Sequence, residues 1–317
     1  FYKAGGTLLI NECQFFNNEA LDYGGAIYLP PGGGNVIQYS TFYNNHTNTS
    51  GGALYGFVAN VDFYNCTFTG NSAVSEGGAI YDWGSVVLIN LINCTVVGNS
   101  AAQAGGIDHW GSSIEFTTTG SIITGNIGSP NLDIWGAGAI LNSGGYNIIG
   151  DATYSGSVGS DQLNVSVGTV ALGPLQDNGE KTFTKMPGSS GPAVDNGNPA
   201  DLTAAQNGPV TDGTRDIGAA EYYTCPDIES SYFALECSAY TVPSGDETYS
   251  TQGLTIANDT IPTVCGADSV MTIYIYIDDS TAPVPDSPLT DYMGSCSVTP
   301  PTPTATDACS GSIIATT

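Results

Sequence analysis

The sequence predicts an all-β protein, with a single-stranded parallel β-helix in its first half and small β-sandwich modules in its second half. Three observations support this prediction. Gly accounts for 42 of the 317 residues, and the helix formers Lys, Arg and Met are scarce. A unit of 26 to 28 residues repeats through the first half. Within each unit, apolar and polar residues alternate with period two, as in strands that have one buried face.

The repeat is defined by residues that recur in phase. Four columns return at steps of 26 to 28 residues: an Asn, a Cys or Ser, an apolar residue, and a Gly pair. Their members are Asn18, Asn45, Asn71, Asn99 and Asn126; Cys13, Ser40, Cys66, Cys94 and Ser121; Phe15, Phe42, Phe68, Val96 and Ile123; and glycine pairs at 24–25, 51–52, 77–78 and 105–106.

A unit of this length with short strands and no helix cannot bury its own apolar face. Stacking successive units about 4.8 Å apart closes a continuous core and places like residues above one another. The Asn column is then expected to bond amide to amide along the stack, in a left-handed turn conformation. The Gly pairs are expected to form tight corners.

The repeat contains NCTFTGNSA at 65–73 and GGAIY at 77–81, and in these residues it resembles the repeats of polymorphic outer-membrane proteins and related bacterial surface β-helices. Downstream, GYNIIGD, LGPLQDNG, PAVDNGN and RDIGAAEY follow in order between 145 and 222, a series similar to the choice-of-anchor β-helix domain of secreted bacterial proteins. The resemblance covers about residues 1–223. It implies a right-handed β-helix displayed outside the cell. The short stretch 211–215 departs from the family, whose members usually have a longer loop there, and we expect a trimmed cap.

The second half differs in composition, with more Pro, five of the eight cysteines and no cation after Arg215. Residues 270–277 alternate apolar and polar, which predicts one strand of a half-buried antiparallel sheet. Residues 224–279 resemble Ig-like modules of giant secreted Bacteroidetes proteins, and 280–317 resembles the start of a second, hyalin-repeat-type module. Relatives with these modules are often long adhesins exported by the type IX system.

The cysteines of the second half are expected to form disulfides. Cys296 and Cys309 lie 13 residues apart in a loop-rich module, which favours a bridge in an exported protein. Cys237 and Cys265 could bridge a sandwich, and Cys225 is an alternative partner.

Cys66 and Cys94 would stack on adjacent turns at a Cα spacing that permits a bridge. We favour free buried thiols there. No C-x-x-C pair is present, which argues against a zinc site.

The net charge of -26 excludes several classes of partner. Nucleic-acid phosphates and anionic membrane surfaces both require Lys and Arg contacts. The longest apolar stretch, 86–97, is too short and too polar to insert into a bilayer. Because the sequence begins and ends inside its patterns, we interpret it as a piece of a longer exported protein. Its four cations are Lys3, Lys181, Lys185 and Arg215.

Parallel β-helices often carry polysaccharide lyases and hydrolases. Lyases of this shape use Lys or Arg as the base, and no cation lies between residues 4 and 180. Paired carboxylates for a hydrolase could come from Asp82, Asp108 and Asp133, which fall at or near one position in successive turns. We favour solvated turn positions for all three. His109 and His46 have no visible Ser or Cys partner.

The aromatic residues offer a candidate ligand-binding ladder. If the Ile or Leu that begins each strand points inward, the aromatics point outward, one turn apart, and could grip sugar rings. The alternative is that they shield an edge of the solenoid or face inward. The candidates are Tyr28, Tyr55, Tyr81, Phe57, Trp83, Trp110 and Trp135.

Calcium is the candidate ion, because Asp-rich loops offer hard oxygen ligands, although no complete calcium loop is present. Its candidate ligands are Asp195, Asn198, Asp278 and Asp279. The Bacteroidetes-like resemblance also implies O-glycans at Asp-Ser/Thr-apolar sites, namely Thr260, Ser269 and Ser280.

The sequence therefore favours a non-enzymatic segment of a large secreted cell-surface adhesin or filament, in a Gram-negative bacterium. Its expected partners are extracellular glycans or proteins and neighbouring modules of the same chain. The alternative is a carbohydrate-active β-helix, which binds or cleaves a polysaccharide.

Overall fold

The structure is a computed structural model of the 317-residue chain. It divides into two compact units, Phe1–Thr224 and Cys225–Thr317. The described residues are 1–2, 6–84, 88–110, 115–129, 133–136, 140–151, 156–179, 182–210, 213–223, 230–237, 239–262, 268–278, 283–287, 302–307 and 311–314.

The first unit is a parallel β-solenoid of about 5 turns, which confirms the fold expected from the repeat. Its right-handed sense stays a prediction. Each turn contributes one strand to each of three long sheets, and all pairs within these sheets are parallel. Sheet I contains Leu9–Asn11, Gly32–Gln38, Ala59–Tyr64, Leu88–Ile92, Glu115–Thr119 and Ile140–Gly145.

Sheet II and sheet III follow sheet I around each turn, and a short fourth sheet lies between them. Sheet II contains Gln14–Phe16, Thr41–Tyr43, Thr67–Thr69, Thr95–Val97, Ile122–Thr124, Ile148–Ile149 and Gln162–Leu163. The short sheet contains Glu19–Ala20, His46–Thr47 and Ser72–Ala73. Sheet III contains Ile27–Leu29, Leu54–Phe57, Ile80–Trp83, Ile107–Trp110 and Ile134–Gly136.

The interior is a continuous stack of apolar side chains, one set per turn. In sheet II, Phe42 stacks on Phe15 and on Phe68 with ring centroids 4.8 Å apart in both pairs. The inward residues of sheet III, such as Leu54 and Ile80, are completely buried. Burial of each such side chain contributes about 1.5 to 3 kcal/mol, so the stack is the main source of stability.

The asparagine column forms a hydrogen-bonded ladder along the solenoid, as expected. The Oδ1 atom of Asn71 accepts from the backbone N and the Nδ2 of Asn45, at 3.0 and 2.9 Å. Asn71 donates in the same way to Asn99, and its Nδ2 also reaches the carbonyl of Phe42. Asn71 and Asn99 are fully buried. Each side chain thus bonds to the backbone of the preceding turn and to the Asn amide of the following turn.

The expected left-handed conformation is not at the ladder residues themselves. It is one residue earlier, at Asn44 with φ 54 and at Gly70 with φ 67. Placing the reversal there frees the next Asn to point its amide along the stack. The prediction placed this conformation one residue too late, because Asn occupies both positions 44 and 45 and the sequence does not show which of the two is left-handed.

The glycine pairs allow the turns to approach closely. Gly51 has φ +76, and a Cβ on Gly52 would lie 2.0 Å from the carbonyl oxygen of Gly78. The fourth pair is shifted by one residue relative to the expected column. There Ala104 takes the left-handed position, with φ 46, and Gly105 stacks on Gly78.

After the last turns, a short helix at Val167–Val170 leads into a segment that returns along the outside of sheet II. We call residues 182–223 the return segment. The Oγ1 atom of Thr67 donates to Gln206 Oε1 at 2.6 Å, and Gln206 Nε2 donates to Thr41 Oγ1 at 2.7 Å. The backbone N of Ala219 donates to Thr95 Oγ1 at 3.0 Å. The return segment therefore binds the outward threonines of three successive turns.

In its described residues, the second unit contains two three-stranded sheets, one with long and one with short strands, and a two-stranded sheet. The central strand of the sheet with long strands, Asp268–Ile277, runs antiparallel to Gly253–Pro262 and parallel to Ser230–Glu236. The sheet is therefore mixed, whereas an antiparallel sheet was expected. Ile273 and Ile275 are buried and Tyr274 is exposed, so the alternation is as predicted. The smaller sheets contain Tyr240–Thr241 and Thr248–Tyr249, and Val284–Pro285, Thr304–Asp307 and Gly311–Ile314.

These strands do not confirm an Ig-like sandwich, and the boundaries of 224–279 and 280–317 stay predictions. Cys237 is disulfide-bonded. Its candidate partners Cys225 and Cys265 lie outside the described residues, as do Cys296 and Cys309, so every predicted pairing stays a prediction. Cys13, Cys66 and Cys94 are free.

We expect Asn71→Ala to lower the free energy of unfolding by about 3 kcal/mol, because it leaves buried groups of two neighbouring turns without their hydrogen-bond partners. Asn48→Ala is the matched control, since Asn48 is exposed and its loss should change stability by about 0.5 kcal/mol or less. Urea unfolding followed by circular dichroism measures both. Equal stabilities of the two variants would contradict a structural role for the ladder.

Candidate functional site

The outer surface of sheet III carries two aromatic columns. Tyr28, Tyr55 and Tyr81 are register partners on three turns, and Phe57, Trp83 and Trp110 form the second column two residues further along each strand. The inward residues between them are buried, so both columns point away from the core. The structure thus brings together the residues of the candidate ladder.

Trp135 belongs to the first column rather than to the second. Its register partner is Asp108, which in turn pairs with Tyr81. The indole of Trp135 nevertheless leans across and stacks on Trp110, with centroids 5.1 Å apart. The 25-residue step from Trp110 to Trp135 is two residues shorter than the 27-residue step before it, and this difference moves Trp135 to the other column.

The tyrosine column is covered, and the tryptophans are not. Tyr55 and Tyr81 are 5% and 8% exposed, whereas Trp83 and Trp110 are 45% and 44% exposed. Tyr23 packs on Tyr55 with ring centroids 4.5 Å apart. Burial raises the pKa of the Tyr55 and Tyr81 phenols, so both stay neutral and act as packing groups. Among the described residues of sheet III, Trp83 and Trp110 therefore offer the most exposed aromatic surface to a ligand.

Stacking within the ladder leaves no room for a sugar between most of the rings. Phe57 and Trp83 have centroids 5.2 Å apart, whereas a ring inserted between two others needs a separation of about 7 Å or more. The second column is interrupted between Trp83 and Trp110. Trp83 and Trp110 are register partners in adjacent strands but make no ring contact with each other among the described residues. We call these two residues the tryptophan pair.

The return segment makes sheet II unavailable by covering it. Arg215 is buried, and its guanidinium donates to Asn65 Oδ1 and to the carbonyl of Thr203. Asn93 donates to Asp201 Oδ2 at 2.7 Å. The contacts of Arg215 with Asn65 and of Asp201 with Asn93 join the return segment to corner residues between sheets I and II. This arrangement explains the RDIGAAEY stretch as an anchor of the return segment, and it uses one of the four cations in the fold.

The three candidate carboxylates are buried, which corrects the expectation of solvated turn positions. They also do not share one column. Asp82 points into the core beside Gly56, where a Cβ would lie 2.6 Å from Asp82 Oδ1, so the glycine leaves the space for the carboxyl group. Asp108 points outward, and Asp133 ends the asparagine ladder by accepting from the N and Nδ2 of Asn126.

Asp82 lies in close contact with the imidazole of His109, the partner that sequence reasoning missed. Asp82 Oδ2 lies 3.2 Å from His109 Nδ1, and both side chains are 1% exposed. Neither side chain makes an oriented hydrogen bond within the described part of the chain. Burial raises the pKa of Asp82, and the nearby His109 opposes this rise. Because solvent does not reach the pair, it offers no surface to a polysaccharide.

Asp108 is a buried acid on the outward side, next to the tryptophan pair. Its Oδ2 accepts from Gln103 Nε2 at 3.1 Å, and its Oδ1 has no partner among the described residues. Burial raises the pKa of Asp108 to about 7; the Gln103 hydrogen bond opposes this rise, and the Glu76 carboxylate adds to it. Glu76 and Gln103 are register partners on successive turns, a column that the 27-residue step could have revealed.

The remaining site predictions stay predictions. Asn198 Oδ1 accepts from Ala200 N in a local turn, Asp195 is exposed, and no group of three or more His, Cys, Asp or Glu residues in the described ranges could hold a metal. Thr260 and Ser269 lie in paired strands. Asp279 and Ser280 fall outside the described residues.

His46 Nδ1 lies 2.8 Å from Ser72 Oγ in the short sheet. No described helix has the length and apolar character needed to cross a membrane.

Comparison with known families gives one result. Residues 12–30, 39–56 and 65–82 match the Chlamydia polymorphic membrane protein repeat. Each matched stretch runs from the corner before sheet II to sheet III, so it covers the ladder and the glycine pair. Repeats of this kind suggest an autotransporter-like passenger β-helix at the surface of a Gram-negative bacterium. No curated protein and no solved structure is significantly similar to the chain.

We expect Asp108→Asn to flatten the pH dependence of stability. The carboxyl has a pKa near 7 when folded and about 3.9 when unfolded, so its contribution is fully present below about pH 4 and is lost as the pH rises to 7. The wild type should therefore lose about 2 to 4 kcal/mol between pH 4 and pH 8 that the variant retains. Urea unfolding at both pH values measures the difference. Asp22→Asn, at an exposed acid, should behave like the wild type, and an unchanged slope for Asp108→Asn would refute this assignment.

Proposed function

We propose that this chain is a non-enzymatic segment of a cell-surface adhesin that contacts its ligand, a surface glycan, through the tryptophan pair. The observation that carries the proposal is the gap in the second aromatic column of sheet III, between Trp83 and Trp110. Two indoles, each nearly half exposed, lie on adjacent strands there and make no ring contact with each other. The repeat match supports a surface location for such a solenoid.

The scaffold suits display of a rigid binding surface. The strands that carry the tryptophans are held at fixed spacing by parallel pairing, and the asparagine ladder holds the same turns in register. Little conformational entropy is then lost when a ligand binds, which favours affinity. Exposed aromatic side chains of this kind provide the flat apolar contact that sugar rings use, and a solenoid can present them far from its point of attachment.

The alternative is a polysaccharide-degrading β-helix, and the buried acids argue against it. A hydrolase needs two carboxyl groups beside the scissile bond. Asp82 and Asp108 lie on opposite sides of sheet III and are both fully buried. We propose that the second unit consists of Ig-like modules; this assignment and type IX export are supported by the sequence resemblance alone.

The proposal is tested on a glycan array with the 317-residue chain. We expect Trp83→Ala combined with Trp110→Ala to weaken binding by about tenfold or more, since each lost aromatic contact contributes on the order of 1 kcal/mol. Tyr64→Ala is the matched control. Tyr64 is an outward aromatic on sheet I, and its loss should leave binding unchanged.

Undiminished binding by the double variant would contradict the proposed site, and the absence of any bound glycan would contradict the glycan-binding function. Release of reducing ends from a bound polysaccharide would instead support the enzymatic alternative.

A further inference from the structure

We propose that the tryptophan pair binds an alkylated ammonium cation, carried by the ligand of this face. This inference rests on the proposed function and names the chemical group recognised at the same site. It is carried by three independent features of the structure: the free indole faces, the absence of cations around them, and a buried carboxyl group directly beside them.

The indole faces suit a cation. Trp is the aromatic residue that attracts cations most strongly, when the charge lies within about 6 Å of the ring centroid. Trp83 uses one face to pack on Phe57, and Trp110 uses one face to stack on Trp135. The second face of each indole is free of ring contacts within the described residues. Methyl groups on the nitrogen would add apolar contact without removing the positive charge.

The charge around the pair is negative and uncompensated. No Lys or Arg occurs between residues 4 and 180. Lys185 donates its Nζ to the carbonyl of Gly173, and Arg215 is buried where the return segment contacts Asn65 of the solenoid. An acidic ligand such as a uronate would find no counter-charge here. A cationic ligand would be attracted by the net charge of -26 before it made any contact.

Asp108 supplies a local counter-charge. It lies two residues before Trp110 on the same strand and on the same outward side, with Tyr81 as its register partner. One of its carboxyl oxygens lacks a partner within the described part of the chain, so an anion there is poorly solvated. Because Asp108 is buried, it acts through its field at short range rather than by touching the ligand.

The other charged groups near Asp108 are few. Glu76 faces it from the corner before sheet III and carries the same sign. Asp82 and His109 lie on the core side of the sheet, where they form a pair of their own. The Asp108 carboxyl therefore controls how the local field changes near neutral pH, since its pKa is about 7.

The experiment is a fluorescence titration of the full chain with choline, whose charge does not change with pH. The three tryptophans of the sequence are Trp83, Trp110 and Trp135, so the signal reports on this face alone. The control ligand is 3,3-dimethylbutan-1-ol, the neutral isostere of choline. We expect choline to bind about fivefold tighter than the isostere at low salt, the size of a partly exposed cation–π interaction.

Two variants separate the contributions. Trp83→Ala should reduce the preference for choline over its isostere at least about twofold, while Trp110 and Trp135 still report binding; the Asp108 carboxylate and the acidic surface retain the rest of that preference. The wild type should bind choline more tightly at about pH 8 than at about pH 5.5, because Asp108 is then ionised. Asp108→Asn should remove this pH dependence, and circular dichroism of the same samples verifies that the variants are folded.

Equal affinity for choline and the isostere would overturn the inference, and so would a choline preference that is undiminished in Trp83→Ala. Either result leaves the adhesin proposal standing if the glycan array shows binding that depends on the tryptophan pair. A choline preference with a silent glycan array would support the cation site and contradict the glycan as its carrier.

Discussion

The rest of the structure depends on in-register stacking of the asparagine ladder. Each Asn amide bonds to the backbone of the turn on one side and to the amide of the turn on the other, inside a dry interior. Such groups are costly to leave unpaired, so a slip of one residue would break every contact in the column. The register is thereby fixed for all three long sheets at once.

This constraint explains how a chain with few charged residues can hold polar and aromatic side chains at fixed positions. Once the ladder sets the register, residues 27 positions apart become neighbours about 4.8 Å apart. The same spacing that packs Phe42 between Phe15 and Phe68 places Asp82 beside His109 and Trp83 beside Trp110. A polar residue that replaces a member of an apolar or aromatic column therefore has neighbours at fixed distances on the turns before and after it. Such fixed neighbours are the condition for a preorganised site.

The solenoid could be predicted from the sequence because its contacts repeat. The Asn and Phe columns and the alternation in 270–277 follow from periodicity alone. The return segment could not be predicted in this way, since contacts such as Arg215 with Asn65 join positions 150 residues apart with no repeat to reveal them. The burial of Asp82 was missed because it depends on the space that Gly56 leaves one turn away, which composition does not show.

The candidate site likewise has a part that periodicity predicts and a part that it does not. Periodicity identified the aromatic columns, but it could not show that the rings stack too closely to admit a sugar, or that the ladder opens between Trp83 and Trp110. Those facts depend on side-chain directions and on the shortened step before Trp135. The sequence therefore predicted the aromatic columns, whereas the packing of the side chains shows which of these residues a ligand can reach.

Hydrogen exchange at the ladder amides tests the account most directly. The backbone N–H groups of Asn45, Asn71 and Asn99 each donate to a side-chain oxygen of the next turn at 3.0 Å. If the ladder fixes the register, these amides should exchange as slowly as those of the buried strands and open only with the whole solenoid. Exchange at the rate of exposed turn amides, with the strands still protected, would contradict it.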